Sequence, residues 1–133
     1  MNLLFFNLYN MFKAFRLWKF KRDLVHGLEK KVLSSLIDYE LVKDFKLPKV
    51  KLEVKKAESK LKLMNEAIEK FVVDKKDKES RDKLKNMKQK RDNQAEVFKN
   101  WNVGVAKTEQ QMRQLHGQWE ANVETLKFIK NFK

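Results

Sequence analysis

Side chains that could support catalysis or bind a metal are few in this chain. The two histidines, His26 and His116, are far apart in the sequence, and cysteine is absent. The chain therefore has no paired-cysteine zinc spacing, no thiolate nucleophile and no disulfide framework. No serine lies in a GxSxG pattern, and neither an HExxH motif nor a glycine-rich phosphate loop is present. We predict no catalytic residue, cofactor, metal or small-molecule substrate, and we interpret the protein as non-enzymatic.

The charge balance is strongly basic. Lysine and arginine number 31 against 18 acidic residues, a formal net charge of +13 over 133 residues. Such an excess favours anionic partners, namely RNA, DNA, acidic lipid or an acidic protein surface. Only five of the 31 basic residues are arginine. Because arginine supplies the bidentate contacts that read bases, this bias disfavours sequence-specific nucleic-acid recognition.

Glycine and proline are rare, with three Gly and one Pro in the whole chain. Loops depend on both residues, so little of the chain is available for loops. Lys, Glu, Leu, Ala and Gln dominate the second half, a composition typical of helices. We therefore predict an all-α fold, and the length allows one domain at most.

The longest regular pattern runs from Leu84 to Ile129 in steps of three and four residues, and ten of its fourteen positions are apolar. This spacing predicts an apolar seam along one helix over residues 82–131, roughly 75 Å long at about 1.5 Å per residue. Gly104 and Gly117 mark the places where this helix would break if it is not continuous. A chain of this size cannot cover so long a seam, so we expect partners to bind its apolar side chains (Phe98, Trp101, Val105, Met112, Leu115, Trp119, Leu126 and Ile129).

Two shorter helices are predicted before this one. Residues 2–46 form an amphipathic N-terminal helix, which we expect to end near Phe45 or Lys46 because Pro48 disfavours the α conformation of the preceding residue. Residues 50–73 carry a second apolar seam, and the polar run 74–82 breaks its phase. The break predicts a turn and an antiparallel hairpin of 50–73 with 82–131, whose second helix extends past the first from about Trp101. A helix continuing through 74–82 is the alternative.

The segment 1–23 is aromatic and basic, and its first acidic residue is Asp23. A transmembrane helix is disfavoured because the uncharged run ends at Phe12, and a secretory signal is disfavoured because its charges should precede the apolar core. The segment suits an amphipathic helix in a membrane interface, a hydrophobic groove of a partner, or an organelle-targeting role. The alternative is that its aromatic residues form the protein's own core. The residues expected to dock are apolar or basic (Leu4, Leu8, Phe12, Phe15, Trp18, Lys19 and Arg22).

These patterns divide the chain into a docking segment, residues 1–23, and an extended helical hairpin, residues 24–133. The leading hypothesis is a structural or accessory subunit of a large assembly at the mitochondrial inner membrane, which scaffolds neighbouring subunits through long helices. The helices are similar in style to those of small helical subunits of respiratory complexes and ATP synthase, without a shared motif.

Two other hypotheses remain open. An RNA-associated, for instance mitoribosomal, protein would place lysines on phosphates and stack Trp101 or Trp119 on bases. Residues 50–133 interleave both charge signs, which does not suit a coherent lysine stripe. A self-associating coiled coil is the third hypothesis, although tryptophan is bulky for the seam of a tight dimer.

Overall fold

The computed structural model describes residues 3–71 and 77–132, with side chains from Asn7 onward. Helix α1 is Leu3–Leu41, a π-helical turn is Val42–Lys46, α2 is Leu47–Lys70 and α3 is Lys78–Asn131. No strand occurs in these ranges, so the predicted all-α hairpin fold is confirmed. The chain forms two compact units: unit 1 is residues 1–40 with 113–133, and unit 2 is residues 41–112.

Unit 2 pairs α2 with the first part of α3 in antiparallel order. The Gln94 amide donates to the Ala57 carbonyl oxygen at 3.3 Å. Nearer the start of α2, the Lys46 ammonium donates to the Gln111 side-chain oxygen at 2.7 Å. Later residues of one helix thus face earlier residues of the other, as the hairpin requires.

The connection between α2 and α3 lies at the polar run, as predicted. Phe71 adopts an extended conformation directly after α2, and α3 begins at Lys78. The Asp77 carboxylate accepts a hydrogen bond from the Glu79 N–H at 3.0 Å, which satisfies one of the unpaired donors at the helix start. This cap explains why α3 begins earlier than the predicted residue 82. Residues 72–76, which include the end of the predicted second helix and the first part of the predicted turn 74–82, lie outside the described residues.

The prediction that a helix would end before Pro48 was wrong. Leu47 keeps helical dihedral angles, φ −63° and ψ −47°, and its N–H bonds the Val42 carbonyl oxygen five residues earlier. Proline lacks an N–H, and its ring crowds the preceding helical turn. The wider π turn and the position of Pro48 in the first turn of α2 accommodate both effects.

Unit 1 pairs α1 with the last part of α3. The Asn122 amide donates to the Ser35 hydroxyl oxygen at 3.3 Å, and the Tyr39 and His116 rings lie edge to face at 5.0 Å. Helix α3 extends past α2 as predicted, but beyond Trp101, because Gly104 still faces Val50 of α2. In unit 1 this extension pairs with α1 instead of remaining uncovered. The apolar face of α1 supplies the cover in unit 1, and unit 2 pairs α3 as far as Gln111. Helix α3 also runs through both of its glycines without a break.

The core is thin. The buried apolar residues are Val42, Leu47 and Ala57, and no described side chain of any type is completely enclosed. Three polar residues, Ser35, Gln94 and Thr108, are buried as deeply. Two helices in contact bury one stripe each and leave their outer faces to solvent, which explains this pattern.

Candidate docking site

The first part of α1 has a stripe of large, exposed apolar side chains. We call these residues the docking stripe (Leu8, Met11, Phe12, Phe15 and Trp18). They recur at steps of three and four, so they share one side of α1, and they are 42% to 62% exposed. The Phe15 and Trp18 ring centroids are 6.0 Å apart. The stripe thus presents aromatic surface that the described residues leave uncovered.

Cations accompany the stripe. Five basic residues lie between Lys13 and Arg22, and the sequence has no carboxylate before Asp23. The Arg22 guanidinium lies 4.9 Å from the centre of the Trp18 ring, within the range of a cation–π contact. Its Nε atom is also 3.9 Å from the Asp23 carboxylate, an exposed pair that contributes little. Positive charge beside exposed aromatic rings suits an anionic, partly apolar surface.

The structure brings most of the predicted docking residues together. Five of them lie on α1 within unit 1 and are exposed (Leu8, Phe12, Phe15, Trp18 and Lys19). Arg22 is exposed as well and packs over Trp18. The side chain of Leu4 lies outside the described residues. Among the described helices, none combines the length and apolarity that crossing a bilayer requires.

The predicted partner-binding residues of α3 divide between the two units. Phe98, Val105 and Met112 are half-buried in unit 2, and Trp101 is 36% exposed there. The unit 1 members are all half-buried (Leu115, Trp119, Leu126 and Ile129). The chain therefore supplies part of the cover that the seam pattern assigned to partners. Binding of partners by these residues stays a prediction.

A histidine lies inside the seam of unit 1. The His116 ring is 5.0 Å from the Tyr39 ring and 5.6 Å from the Trp119 ring. Its Nδ1 atom lies 3.3 Å from the Glu120 carboxylate. The Trp119 indole N–H is buried with no hydrogen-bond partner among the described residues. This arrangement suits packing, and no group of three metal-ligating side chains occurs in the described part of the chain.

Unit 1 also contains a groove that the sequence pattern did not predict. One cavity of about 470 Å³ lies between α1 and the end of α3. A second cavity of about 540 Å³ lies farther towards the start of α1, and Leu17 lines both. The available signal was the set of apolar residues on α1 outside the docking stripe, Tyr9, Leu17, Phe20 and Leu24. Phe132 reaches the groove only through the tertiary fold, so no local pattern could reveal it.

The surface of unit 2 has a shallower groove of about 200 Å³, which Trp101 lines together with Glu53, Lys56 and Lys60. Glu53 and Lys56 form an ion pair at 3.5 Å. The two charge signs are thus mixed beside Trp101, and phosphate binding would have to displace the Glu53 contact. Trp119, the other tryptophan considered for base stacking, is half-buried in unit 1.

No protein-family model, curated protein or solved structure matches this chain. The function is therefore argued from the chemistry of the two units.

Proposed function

We propose that the protein is a non-enzymatic structural subunit of a large membrane-associated assembly, and that the docking stripe of α1 binds an anionic membrane interface. The observation that carries the proposal is the docking stripe, five large apolar side chains that are 42% to 62% exposed. Cations interleave with it, and the first carboxylate of the sequence is Asp23. An interfacial helix needs this combination of an apolar face and basic flanks.

The energies support interfacial binding of this segment. Full burial of a Leu, Phe or Met side chain contributes about 1.5–3 kcal/mol, so half of that from each stripe residue gives roughly 4–7 kcal/mol in total. Each lysine or arginine near an anionic leaflet adds about 1 kcal/mol. The apolar and ionic contributions are comparable, and we expect binding to need both.

The scaffolding part of the proposal rests on uncovered surface. Large apolar side chains are exposed in both units, among them Phe20 and Phe128 in unit 1, each 66% exposed, and Phe45 in unit 2, 71% exposed. Aromatic residues are enriched at protein interfaces relative to the rest of the surface. Neighbouring subunits would cover this surface in the assembly.

Vesicle sedimentation tests the membrane part of the proposal. The full chain should sediment with vesicles that contain phosphatidylglycerol and much less with phosphatidylcholine vesicles, and added salt should weaken binding through screening. Phe15→Glu should lower vesicle binding at least tenfold, because it removes an aromatic contact and adds a charge that the lipid repels.

Phe45→Glu is the matched control, since Phe45 is also an exposed phenylalanine, 71% exposed, but lies in the π turn of unit 2. The proposal fails if the full chain ignores anionic vesicles, or if Phe45→Glu weakens binding as much as Phe15→Glu. The mitochondrial inner membrane is the proposed location, because the first segment is amphipathic and basic and has no acidic residue before Asp23. Fractionation of the source cells, with a tag placed after residue 133, would test this location.

A further inference from the structure

We propose that the groove of unit 1 receives an acidic amphipathic helix of a neighbouring protein. The groove is the pair of adjoining cavities along α1. It is lined by apolar residues and three cations (Tyr9, Phe12, Lys13, Arg16, Leu17, Trp18, Phe20, Lys21, Leu24, Ile129 and Phe132). The groove and the docking stripe share Phe12 and Trp18 at their edges, but Leu17 lines only the groove and Phe15 belongs only to the stripe.

The dimensions of the groove suit a helix. Five of its lining residues on α1 follow one another in steps of three and four, so the groove runs along the axis of α1 (Tyr9, Lys13, Leu17, Phe20 and Leu24). Sixteen residues of helix span about 24 Å at about 1.5 Å per residue. The cavity of about 470 Å³ lies between α1 and the end of α3, the depression of about 540 Å³ is lined by α1 alone, and Leu17 lines both. A partner helix of four to five turns would insert apolar side chains at i, i+3, i+4 and i+7 into such a groove.

The charge of the groove specifies an acidic partner. Among the side chains that the structure describes, no carboxylate lines either cavity, whereas Lys13 and Arg16 line one and Lys21 lines the other. The Lys21 ammonium donates to the carbonyl oxygens of Phe132 at 2.6 Å and Lys130 at 3.4 Å, at the negative end of the α3 dipole. Lys13 and Arg16 have no ion-pair partner among the described residues, which leaves them available to carboxylates that flank the apolar face of the partner.

A lipid is the less suitable occupant. Leu17 follows Phe15 by two residues, so it lies about 200° around α1 at about 100° per residue. When the docking stripe rests on a membrane, Leu17, Phe20 and Leu24 therefore face away from the bilayer, and Phe12 and Trp18 lie at the boundary between the two surfaces. A second copy of the chain is also less suitable, because its own first segment is basic in the same way and would repel the groove.

Two variants with matched exposure test the groove. Phe15 is 57% and Leu17 is 60% exposed, so neither Phe15→Glu nor Leu17→Glu should disturb the fold, which circular dichroism would check. The probes are two 18-residue helical peptides with leucine at the a and d positions of each heptad, flanked by glutamate in one peptide and by lysine in the other. The full chain should bind the glutamate peptide at least tenfold more tightly than the lysine peptide, by isothermal calorimetry.

Leu17→Glu should lower the affinity for the glutamate peptide at least tenfold and leave vesicle binding unchanged. Phe15→Glu should lower vesicle binding and leave the affinity for the glutamate peptide unchanged. Equal affinity for both peptides, or an unchanged affinity in Leu17→Glu, would overturn the inference. Loss of vesicle binding in Leu17→Glu would show that lipid covers the groove and would also overturn it. A dimer of the free chain that Leu17→Glu dissociates would assign the groove to a second copy. Failure of the vesicle experiment alone would refute the membrane proposal and leave this one standing.

Discussion

Gly104→Ala is predicted to stabilise unit 2, although Gly104 lies where α3 meets α2. A methyl group built on Gly104 would lie 3.7 Å from the Val50 Cγ1 atom, an ordinary van der Waals distance. Alanine is favoured over glycine by about 1 kcal/mol inside a helix. A half-buried methyl group adds about 0.4 kcal/mol, half the value of a buried CH₂. The expected gain is thus about 1.4 kcal/mol.

Gly117→Ala is the matched control, because nothing lies within 4 Å of a methyl group at that position of α3. It should show the helix-propensity gain alone, about 1 kcal/mol. Urea unfolding followed by far-ultraviolet circular dichroism gives both free energies, and each kcal/mol should raise Tm by about 4 °C. In a Val50→Ala background the two substitutions should become equal, because the added contact is gone.

The reasoning would be refuted if Gly104→Ala destabilised the protein while Gly117→Ala stabilised it. That result would mean that α2 and α3 lie closer together in solution than the distance of 3.7 Å from an added methyl group to the Val50 Cγ1 atom indicates. Glycine would then be required at position 104. Both substitutions could instead raise the free energy of unfolding by amounts that Val50→Ala does not change. That result would refute only the contribution of the contact with Val50 and leave the helix-propensity argument intact.

Two further stability predictions follow from single hydrogen bonds. Asp77→Ala removes the cap of α3 and should cost about 1 kcal/mol, whereas Asp77→Asn should keep most of it, as measured by urea unfolding. Gln94→Leu loses one hydrogen bond of about 1 kcal/mol but also removes a buried amide, so it should be neutral or stabilising. Gln94→Ala leaves a cavity and should destabilise the protein by roughly 1–2 kcal/mol. A stabilising Gln94→Ala would contradict the burial of that side chain.

The failure at Pro48 has an identifiable physical cause. Val42 and Leu47 are both buried, and they stand five residues apart, whereas the rest of the seam steps by three or four. A regular α-helix would place the two side chains on different sides, because five residues exceed one turn of 3.6. The π turn absorbs the extra residue, so both side chains stay on the seam and the proline is accommodated. The five-residue step is present in the sequence, but the burial of both side chains is what reveals it.

The spacing of apolar residues within the first helix predicted the docking stripe. The break in the apolar spacing at residues 74–82 predicted the hairpin. The groove of unit 1 could not be predicted in the same way. Ile129 and Phe132 reach it from α3, more than one hundred residues after Leu24 in the chain. Their position depends on the pairing of α1 with α3, and the sequence pattern assigned that stretch of α3 to partners.

Burial in this protein is inverted relative to an ordinary domain. Ser35 and Thr108 are buried, and each hydroxyl donates to a carbonyl oxygen of its own helix. Ser35 donates to Lys31 at 2.7 Å, and Thr108 donates to Gly104 at 2.8 Å. Meanwhile Phe12, Phe15 and Trp18 are more than half exposed. Buried hydroxyls and amides favour one pairing of the helices but contribute little net stability. The apolar surface that would contribute more is on the outside. A ligand that covers it only in the folded state should therefore raise the free energy of unfolding by RT ln(1 + L/Kd), where L is the free ligand concentration. Docking therefore adds stability that the free chain lacks, because the aromatic side chains become covered only when the ligand binds.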